Sequence, residues 1–342
     1  MKRKTRRICI ILVVAILPLC LVFAGLAYWL CGADFADGED TYIYIRSGEK
    51  FEDVCRSLEE AAPDGRMGAF ILADRLLGYH KNVRPGRYRV SGISSLQLVR
   101  NLRNGQQEPL MLTVPIAWTP PQLAGKLATR LEADSASFAE VFSDSVLLKE
   151  IGVPQMGLFA LIVPDTYEIY WTIKPEEFLR RMKREYDRFW TSERDEKAAS
   201  QGLSRDETYV LASIVERETA NEAEKPVIAG LYLNRLRKGM KLQADPTVKF
   251  AVGDFALRRI LLRHLRTPSP YNTYLHEGLP PAPISLPSRS SIEAVLKAGN
   301  HDYLYMCAKE DFSGAHNFAS TFSEHQQNAR RYVEALNARG IK

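Results

Sequence analysis

The sequence predicts an α+β protein made of an N-terminal transmembrane helix, a small α/β unit and a larger mixed α+β domain. Three observations predict it: an uncharged apolar stretch at 8–31, alternating short strand-like and helix-like patterns at 41–108, and helical patterns separated by Pro- and Gly-marked loops at 109–342. With 342 residues, of which 46% are hydrophobic and 25% charged, the chain is large enough to bury a sizeable core.

The N-terminal segment has the composition of a membrane anchor. The stretch 8–31 is long enough to cross about 30 Å of hydrocarbon as a helix, which tolerates Pro18. Tyr28 and Trp29 stand at its far end, where interfacial aromatic residues are expected. The preceding tail, 1–7, is basic without an acidic residue, so we expect it in the cytoplasm and the rest of the chain exported. A cleaved signal peptide is the alternative, although the small residues at 24–27 form only a weak cleavage site.

Charge and cysteine content narrow the function classes. The net charge of +5 comes from 46 basic and 41 acidic residues, and the five basic residues of the tail 1–7 account for the surplus. The exported part is therefore nearly neutral, which argues against nucleic acid as a partner. Outside the predicted span only Cys55 and Cys307 remain, with no Cys/His spacing typical of a zinc site. Nothing in the sequence supports a disulfide between these two cysteines.

A linker at 32–40 precedes the small unit at 41–108. Its predicted elements are a strand at 42–45, helices at 51–58 and 67–77, a strand at 88–90 and a helix at 95–102. The strand, Ser-Gly-Glu turn and helix at its start resemble a LysM-like module, a small sugar-binding fold. A purely structural adaptor between membrane and larger domain is the alternative.

The larger domain, 109–342, is predicted to be mixed α+β, with a helical part around Glu218. Its expected elements are a strand at 110–114, helices at 120–131, 137–147, 175–190, 204–219 and 226–236, loops at 239–247 and 269–281, and a Pro-rich loop ending at Pro287. We interpret Pro164-Asp165-Thr166 as a structural turn in which Asp165 caps nearby backbone.

Glu218 lies on the apolar side of its predicted helix. Ser204 and Glu207 have the spacing of a capping box, which marks the start of the helix. At about 100° per residue, Glu218 projects from the same stripe as Ile214 and Val215. Because burial raises the pKa of a carboxyl, Glu218 is a candidate general acid, with a buried structural ion pair as the alternative.

Polar and aromatic side chains cluster in the segments after Glu218. Tyr, Asn, Gln, Asp and Thr on loops suit a polyhydroxylated ligand, because they bind hydroxyl groups and stack on apolar sugar faces. The candidates are Asn234, Gln243, Asp245, Thr247, Asn272 and Tyr274. No Gly-rich phosphate cradle and no acyl-transfer motif is present.

In order and spacing, these motifs resemble the membrane-anchored endolytic murein transglycosylases, the MltG-like or YceG-like family. The matching segments are Ala-Ser-Ile-Val-Glu-Arg-Glu-Thr at 212–219, Asn-Arg-Leu-Arg-Lys-Gly-Met at 234–240, Leu-Gln-Ala-Asp-Pro-Thr-Val at 242–248, Tyr-Asn-Thr-Tyr at 271–274, Gly-Leu-Pro-Pro at 278–281, and His316 with Phe318. One departure is that Phe159-Ala160 stand where many relatives carry Glu-Gly.

The resemblance implies a lyase that cleaves MurNAc–GlcNAc bonds inside nascent peptidoglycan strands and leaves a 1,6-anhydroMurNAc end. It implies Glu218 as the catalytic acid/base, contact roles for the six candidates above, and no metal or cofactor. Implied partners are glycan strands, the membrane and peptidoglycan synthases (penicillin-binding proteins). With the predicted anchor, it implies a single-pass protein of the bacterial inner membrane with its catalytic domain in the periplasm.

Two other functions stay open at this point. A peptidoglycan hydrolase would use Asp245 as the partner of Glu218, because glycosidases usually need two carboxyl groups. A non-catalytic scaffold of the cell-wall machinery would bind glycan through the LysM-like unit and the loops without cutting it.

Overall fold

The computed structural model describes residues 2–36 and 40–340, with the side chains of 2–13 and of residue 15 outside the described part. Residues 37–39 of the predicted linker are thus not described. The chain forms two compact units: the first comprises 1–111 and 168–173, and the second comprises 112–167 and 174–342. The domain boundaries at 108 and 109 stay predictions.

The first unit begins with a long helix and continues with a mixed α/β arrangement. Its elements are α1 Lys2–Ala27, a π-helical turn Tyr28–Gly32, β1 Tyr42–Ile45, α2 Phe51–Ala61, α3 Met67–Leu77, a 3₁₀ turn Tyr79–Lys81, β2 Gly86–Arg89 and α4 Ser95–Asn104. Strands β1 and β2 pair antiparallel, with Tyr42 opposite Arg89. The LysM-like resemblance of this unit stays a prediction.

The N-terminal anchor is the part of the prediction that the structure leaves open. Within the described residues, no helix combines the length and the apolar character that a membrane crossing requires. The side chains of 8–13 and 15, which belong to the predicted span, lie outside the described part. The span itself therefore stays a prediction.

The second unit is mainly helical. The boundaries between the two units fall within two strands, β3 Leu110–Thr113 and β4 Thr166–Ile169. The remaining elements are α5 Pro120–Ala128, α6 Ser135–Ser143, α7 Ser145–Ile151, a 3₁₀ turn Leu158–Ala160, α8 Pro175–Phe189, α9 Ser192–Ser200, α10 Arg205–Glu218, α11 Lys225–Arg237, α12 Asp245–Val252, a 3₁₀ turn His264–Arg266, α13 Arg289–Leu296, β5 Tyr305–Ala308, β6 His316–Ala319 and α14 Phe322–Ala338.

Helix α10 is central to the core of this unit. Its capping box is confirmed, because Ser204 Oγ accepts from the Glu207 N–H and the Glu207 carboxylate accepts from the Ser204 N–H. The predicted apolar stripe is buried, but the burial is not confined to one side, since every residue at 208–215 is buried. Neighbouring helices surround the middle of α10, so the apolar stripe understated its burial.

Helix α11 crosses the segment before β5 at very short range. A Cβ atom placed on Gly230 would lie 2.5 Å from the carbonyl oxygen of Gly299 and 2.8 Å from His301 Nε2. The His301 ring is itself held by a hydrogen bond to the Val227 carbonyl, at 2.9 Å. Only glycine therefore fits this crossing, which fixes α11 against the chain that leads into β5.

Several predicted elements differ from the structure. The single helix expected at 137–147 is two helices, because the Asp144 carboxylate accepts from the Val146 and Leu147 N–H groups and starts α7. The segment 239–247 was predicted to be a loop throughout, yet α12 begins at Asp245. Cys55 and Cys307 are free thiols, so they form no disulfide.

Candidate functional site

Helix α10 ends at a cavity in the second unit. Its last residue is Glu218, after which Thr219 adopts an extended conformation and its N–H bonds to the Val215 carbonyl. The cavity has a volume of about 290 Å³ and is lined by residues of α10, α11, the segment before α12, β5 and β6. The helix end thus delivers the Glu218 carboxyl into a confined space.

The surroundings of Glu218 favour its protonated form. Burial raises the pKa of this carboxyl from an ordinary value of 4.5 to about 7. The hydrogen bond from Tyr232 opposes that rise, the negative charge of Asp245 adds to it, and His316 and Arg235 reduce it. Near neutral pH the group therefore exists in both protonation states, as a general acid/base requires.

Two tyrosine hydroxyl groups each hold one carboxyl of the cavity. Tyr232 donates a 2.5 Å hydrogen bond to Glu218 Oε1, and Tyr274 donates a 2.7 Å hydrogen bond to Asp245 Oδ1. Burial, followed by the neighbouring carboxyl, raises the pKa of both tyrosines, so both stay protonated donors. Because Oε1 is occupied, Oε2 is the oxygen of Glu218 left to exchange a proton with a ligand.

The loop before α12 contributes Gln243 to the lining of the cavity. Gln243 lines the cavity and has a φ of +50°, a left-handed conformation that is uncommon outside glycine. Its N–H donates to the Thr273 carbonyl, and the Ala244 N–H donates to Thr273 Oγ1. Thr247 Oγ1 lies 2.8 Å from the same Thr273 hydroxyl, which ties the loop to the start of α12.

The structure brings together four of the seven residues predicted from the sequence: Glu218, Gln243, Asp245 and Tyr274 line one cavity. Asn234, Thr247 and Asn272 do not line it. Thr247 is fully buried in the hydrogen-bond network just described.

The two predicted asparagines hold backbone. Asn234 Nδ2 donates to the carbonyls of His301 and Tyr303, at 2.6 and 3.2 Å. Asn272, which is fully buried, donates to the carbonyls of Leu265 and Thr267. Each of these side-chain amides donates to two backbone carbonyl oxygens. Residue type alone does not distinguish this structural role from ligand binding.

Arg235 and His316 line the cavity although neither was among the predicted site residues. The Arg235 guanidinium donates to the carbonyls of Leu304 and Leu242, at 2.6 and 2.7 Å, and so holds β5 and the Gln243 loop together. The Glu224 carboxylate forms hydrogen bonds with the backbone N–H and with Nδ1 of His316. His316 had stood out in the sequence only as part of the His-x-Phe motif.

The segment that departs from the motif pattern is structural. Phe159 and Ala160 are buried in a 3₁₀ turn. The interpretation of Asp165 as a backbone cap is confirmed, since its Oδ1 accepts from the Thr166 N–H, while its Oδ2 pairs with Arg289. Neither position lines the cavity.

A protonatable carboxyl, a second carboxyl and several hydrogen-bond donors in one confined cavity define the class of this site as an acid/base site for a polar ligand. Among the residues that the structure describes, no three His, Cys, Asp or Glu side chains are grouped to hold a metal ion. The chain belongs to the YceG-like family, which it matches over residues 43–331.

Relatives of known name extend this similarity. The chain is 41% identical over 127 residues to the endolytic murein transglycosylase of Bacillus subtilis, which covers 37% of the chain and 34% of that protein. It is 27% identical over 329 residues to the endolytic murein transglycosylase of Streptococcus pneumoniae, which covers 86% of the chain and 58% of that protein. The chain thus spans between a third and three fifths of these relatives' lengths.

A solved structure resembles the fold as well. The crystal structure of a putative yceG-like protein from Listeria monocytogenes matches with a TM-score of 0.55 and 26% sequence identity. The match covers 84% of this chain and 99% of the other. The fold of this chain is thus similar to that of a solved protein described as yceG-like.

Proposed function

We propose that this chain is a membrane-anchored lytic transglycosylase that cleaves MurNAc–GlcNAc bonds within nascent peptidoglycan strands. The observation that carries the proposal is the Glu218 carboxyl, whose pKa burial raises to about 7 inside a cavity lined by hydrogen-bonding groups. Membership of the YceG-like family and relatives named endolytic murein transglycosylases support it.

In the first step, protonated Glu218 gives its proton to the glycosidic oxygen as the bond to C1 of MurNAc breaks. The leaving GlcNAc hydroxyl takes that proton, and the positive charge on the sugar ring lies beside the carboxylates of Glu218 and Asp245. Such fixed charges stabilise an oxocarbenium-like transition state because they need no reorganisation. Gln243 is placed to bind sugar hydroxyls in the same cavity.

In the second step, the C6 hydroxyl of the same MurNAc attacks C1 and loses its proton to Glu218. The product is a 1,6-anhydro end, and Glu218 is protonated again. Because nucleophile and electrophile belong to one sugar, the entropic part of the barrier is small. A single acid/base group is therefore sufficient for this reaction.

The proposed cellular setting follows from the predicted anchor. We expect one membrane span at 8–31, the N-terminus in the cytoplasm and the catalytic domain in the periplasm, where peptidoglycan synthases produce the strands. Cutting there would end or trim strand elongation.

The decisive experiment is digestion of uncrosslinked glycan strands by the full chain and by Glu218→Gln, with product masses. We expect the wild type to give anhydro products, one water lighter than hydrolysis products, and Glu218→Gln to lose roughly 10²–10⁴-fold in rate or more. Glu196→Gln, an exposed position on α9, is the matched control and should keep full activity. Full activity in Glu218→Gln would refute the assignment.

A hydrolase is the second candidate, because Glu218 and Asp245 line the same cavity and two carboxyls are what a glycosidase uses. In that mechanism Asp245 would activate a water molecule or form a covalent intermediate. Digestion in heavy-oxygen water separates the two candidates: a hydrolase places the label in a reducing end, whereas the lyase leaves the product unlabelled.

A further inference from the structure

A basic and leucine-rich loop follows α12 in the second unit. The segment 256–266, here called the basic loop, carries four arginines and four leucines, and no acidic residue occurs from 255 to 276. The arginines are Arg258, Arg259, Arg263 and Arg266, and all four are exposed.

Apolar side chains stand exposed between these arginines. Leu262 is 80% exposed and Leu261 is 41% exposed, next to each other in the middle of the loop. Large apolar groups flanked by cations at a protein surface are typical of an interaction site rather than of a solvated face.

Both ends of the basic loop are fixed to the core. The Phe255 ring stacks on Trp118 with centroids 4.9 Å apart, and buried Asn272 donates to the carbonyls of Leu265 and Thr267. Inside the loop, the Leu261 N–H donates to His264 Nδ1 at 3.2 Å. The arginines and leucines are therefore presented together on a shaped surface.

We propose that the basic loop docks the second unit on an anionic lipid bilayer surface. Arginine guanidinium groups bind lipid phosphates, and each cation near such a surface favours the docked state by roughly fivefold. Leu261 and Leu262 enter the boundary between headgroups and acyl chains, where burial of apolar surface adds to the attraction.

The two leucines favour a lipid bilayer over other polyanions as the binding partner of the basic loop. A glycan strand with acidic stem peptides, or a nucleic acid, would pair with the arginines but has no hydrocarbon layer in which both exposed leucines could be buried. The position also has a consequence for the cavity, because the loop leaves α12, whose first residue Asp245 lines it. An eight-residue helix is about 12 Å long, so docking holds the cavity close to the bilayer surface.

The test is hydrogen–deuterium exchange of the full chain with lipid nanodiscs of phosphatidylcholine alone or with about 30% phosphatidylglycerol. We expect amides of 256–266 to exchange roughly threefold more slowly or better with the anionic discs, and the protection to fall between about 0.05 M and 0.5 M salt. The exposed turn at 311–314 is the internal reference.

Two variants separate the two contributions. Glutamine at all four arginine positions should remove the difference between the two lipid compositions. Leu261→Ser with Leu262→Ser should keep a salt-sensitive protection and lose the part that survives high salt. These surface changes should leave the melting temperature of the chain nearly unchanged, which verifies the fold.

Equal exchange in both kinds of disc, or protection by soluble glycan strands in place of anionic lipid, would overturn the proposal. The outcome is independent of catalysis, because Glu218→Gln should dock as the wild type does. It is also separable from anchoring, because protection is measured at the amides of 256–266 and not as binding of the whole chain, to which the basic tail 1–7 also contributes.

Discussion

Two carboxyl groups on α10, two residues apart, occupy opposite electrostatic environments. Glu216 Oε2 accepts hydrogen bonds from the Ser288 N–H and hydroxyl and from the Ser291 hydroxyl, and it lies 3.4 Å from Lys225 Nζ. Glu218 accepts a hydrogen bond from one tyrosine hydroxyl and shares its cavity with the carboxyl of Asp245. Hydrogen-bond donors and a cation hold the first carboxyl in a structural role, whereas burial raises the pKa of the second so that it can carry a proton near neutral pH.

The largest effect on stability is expected from Glu216→Gln. Lys225 has a side chain only 3% exposed, and this change removes its buried counter-charge. Lys225 then keeps only Glu222, a counter-charge that lies mostly in solvent, so the free energy of unfolding should fall by up to about 3 kcal/mol. Chemical denaturation at neutral pH measures it.

Glu222→Gln is the matched control for that measurement. Glu222 contacts the same Lys225 Nζ at 2.7 Å, but its side chain is 63% exposed. Its replacement should cost no more than about 1 kcal/mol, as for other exposed ion pairs. Equal losses in the two variants would show that burial does not distinguish the two carboxylates.

The same chemical change at Glu218 should have the opposite sign. Because folding raises the pKa of Glu218 from 4.5 to about 7, the folded chain retains a proton that the unfolded chain has released. The resulting cost is absent below pH 4.5, grows between these two values and is complete above pH 7.

Glu218→Gln should therefore stabilise the folded chain by up to about 3 kcal/mol above neutral pH and by almost nothing in acid. Unfolding curves of wild type and variant across this pH range test it, with Glu196→Gln as the exposed control. A gain that does not depend on pH would contradict the raised pKa.

A smaller effect is expected from Tyr232→Phe. The hydroxyl of Tyr232 stabilises the charged form of Glu218, so its removal should raise the pKa of Glu218 further. Carbon NMR titration of labelled glutamate, assigned with Glu218→Gln, reads this pKa, and the falling limb of the pH–rate profile should move the same way. Tyr209→Phe, a buried tyrosine of α10, is the control.

The smallest effect, of opposite direction, is expected from Asp245→Asn. The negative charge of Asp245 contributes less to the pKa of Glu218 than burial does, and its loss should lower that pKa. The same NMR titration measures it. An upward movement in this variant would show that Asp245 does not act on Glu218 through its charge.

The sequence predicted most elements of the fold because their signals are local. The helix at 67–77 and the strand at 42–45 have the predicted bounds. The helix break at Asp144 was missed because an aspartate inside a helical pattern caps a new helix only when its side chain turns back to the backbone. The burial of α10 on all sides was missed because packing partners distant in sequence leave no periodic signal along the helix.

The candidate site was predictable where residue type and position agreed. Glu218 was found because an ionisable carboxyl on an apolar helix face is costly to bury. Asn234 and Asn272 were assigned to ligand binding because an amide that holds backbone looks the same in sequence as one that holds sugar. Tyr232 could not be found by pattern, since a tyrosine in an apolar helix is ordinary core until its hydroxyl is seen to reach a carboxyl 14 residues earlier.

Gly230 fixes the position of α11, which lines the cavity. Where α11 passes the Gly299 carbonyl there is no room for even one methyl group, so the helix can neither slide nor roll along its neighbour. Tyr232 lies half a turn further along α11. The close contact that the missing Cβ atom of Gly230 allows therefore sets the position from which the Tyr232 hydroxyl reaches Glu218. Gly230→Ala should therefore lower the melting temperature of the chain, because the added methyl group would meet the Gly299 carbonyl oxygen.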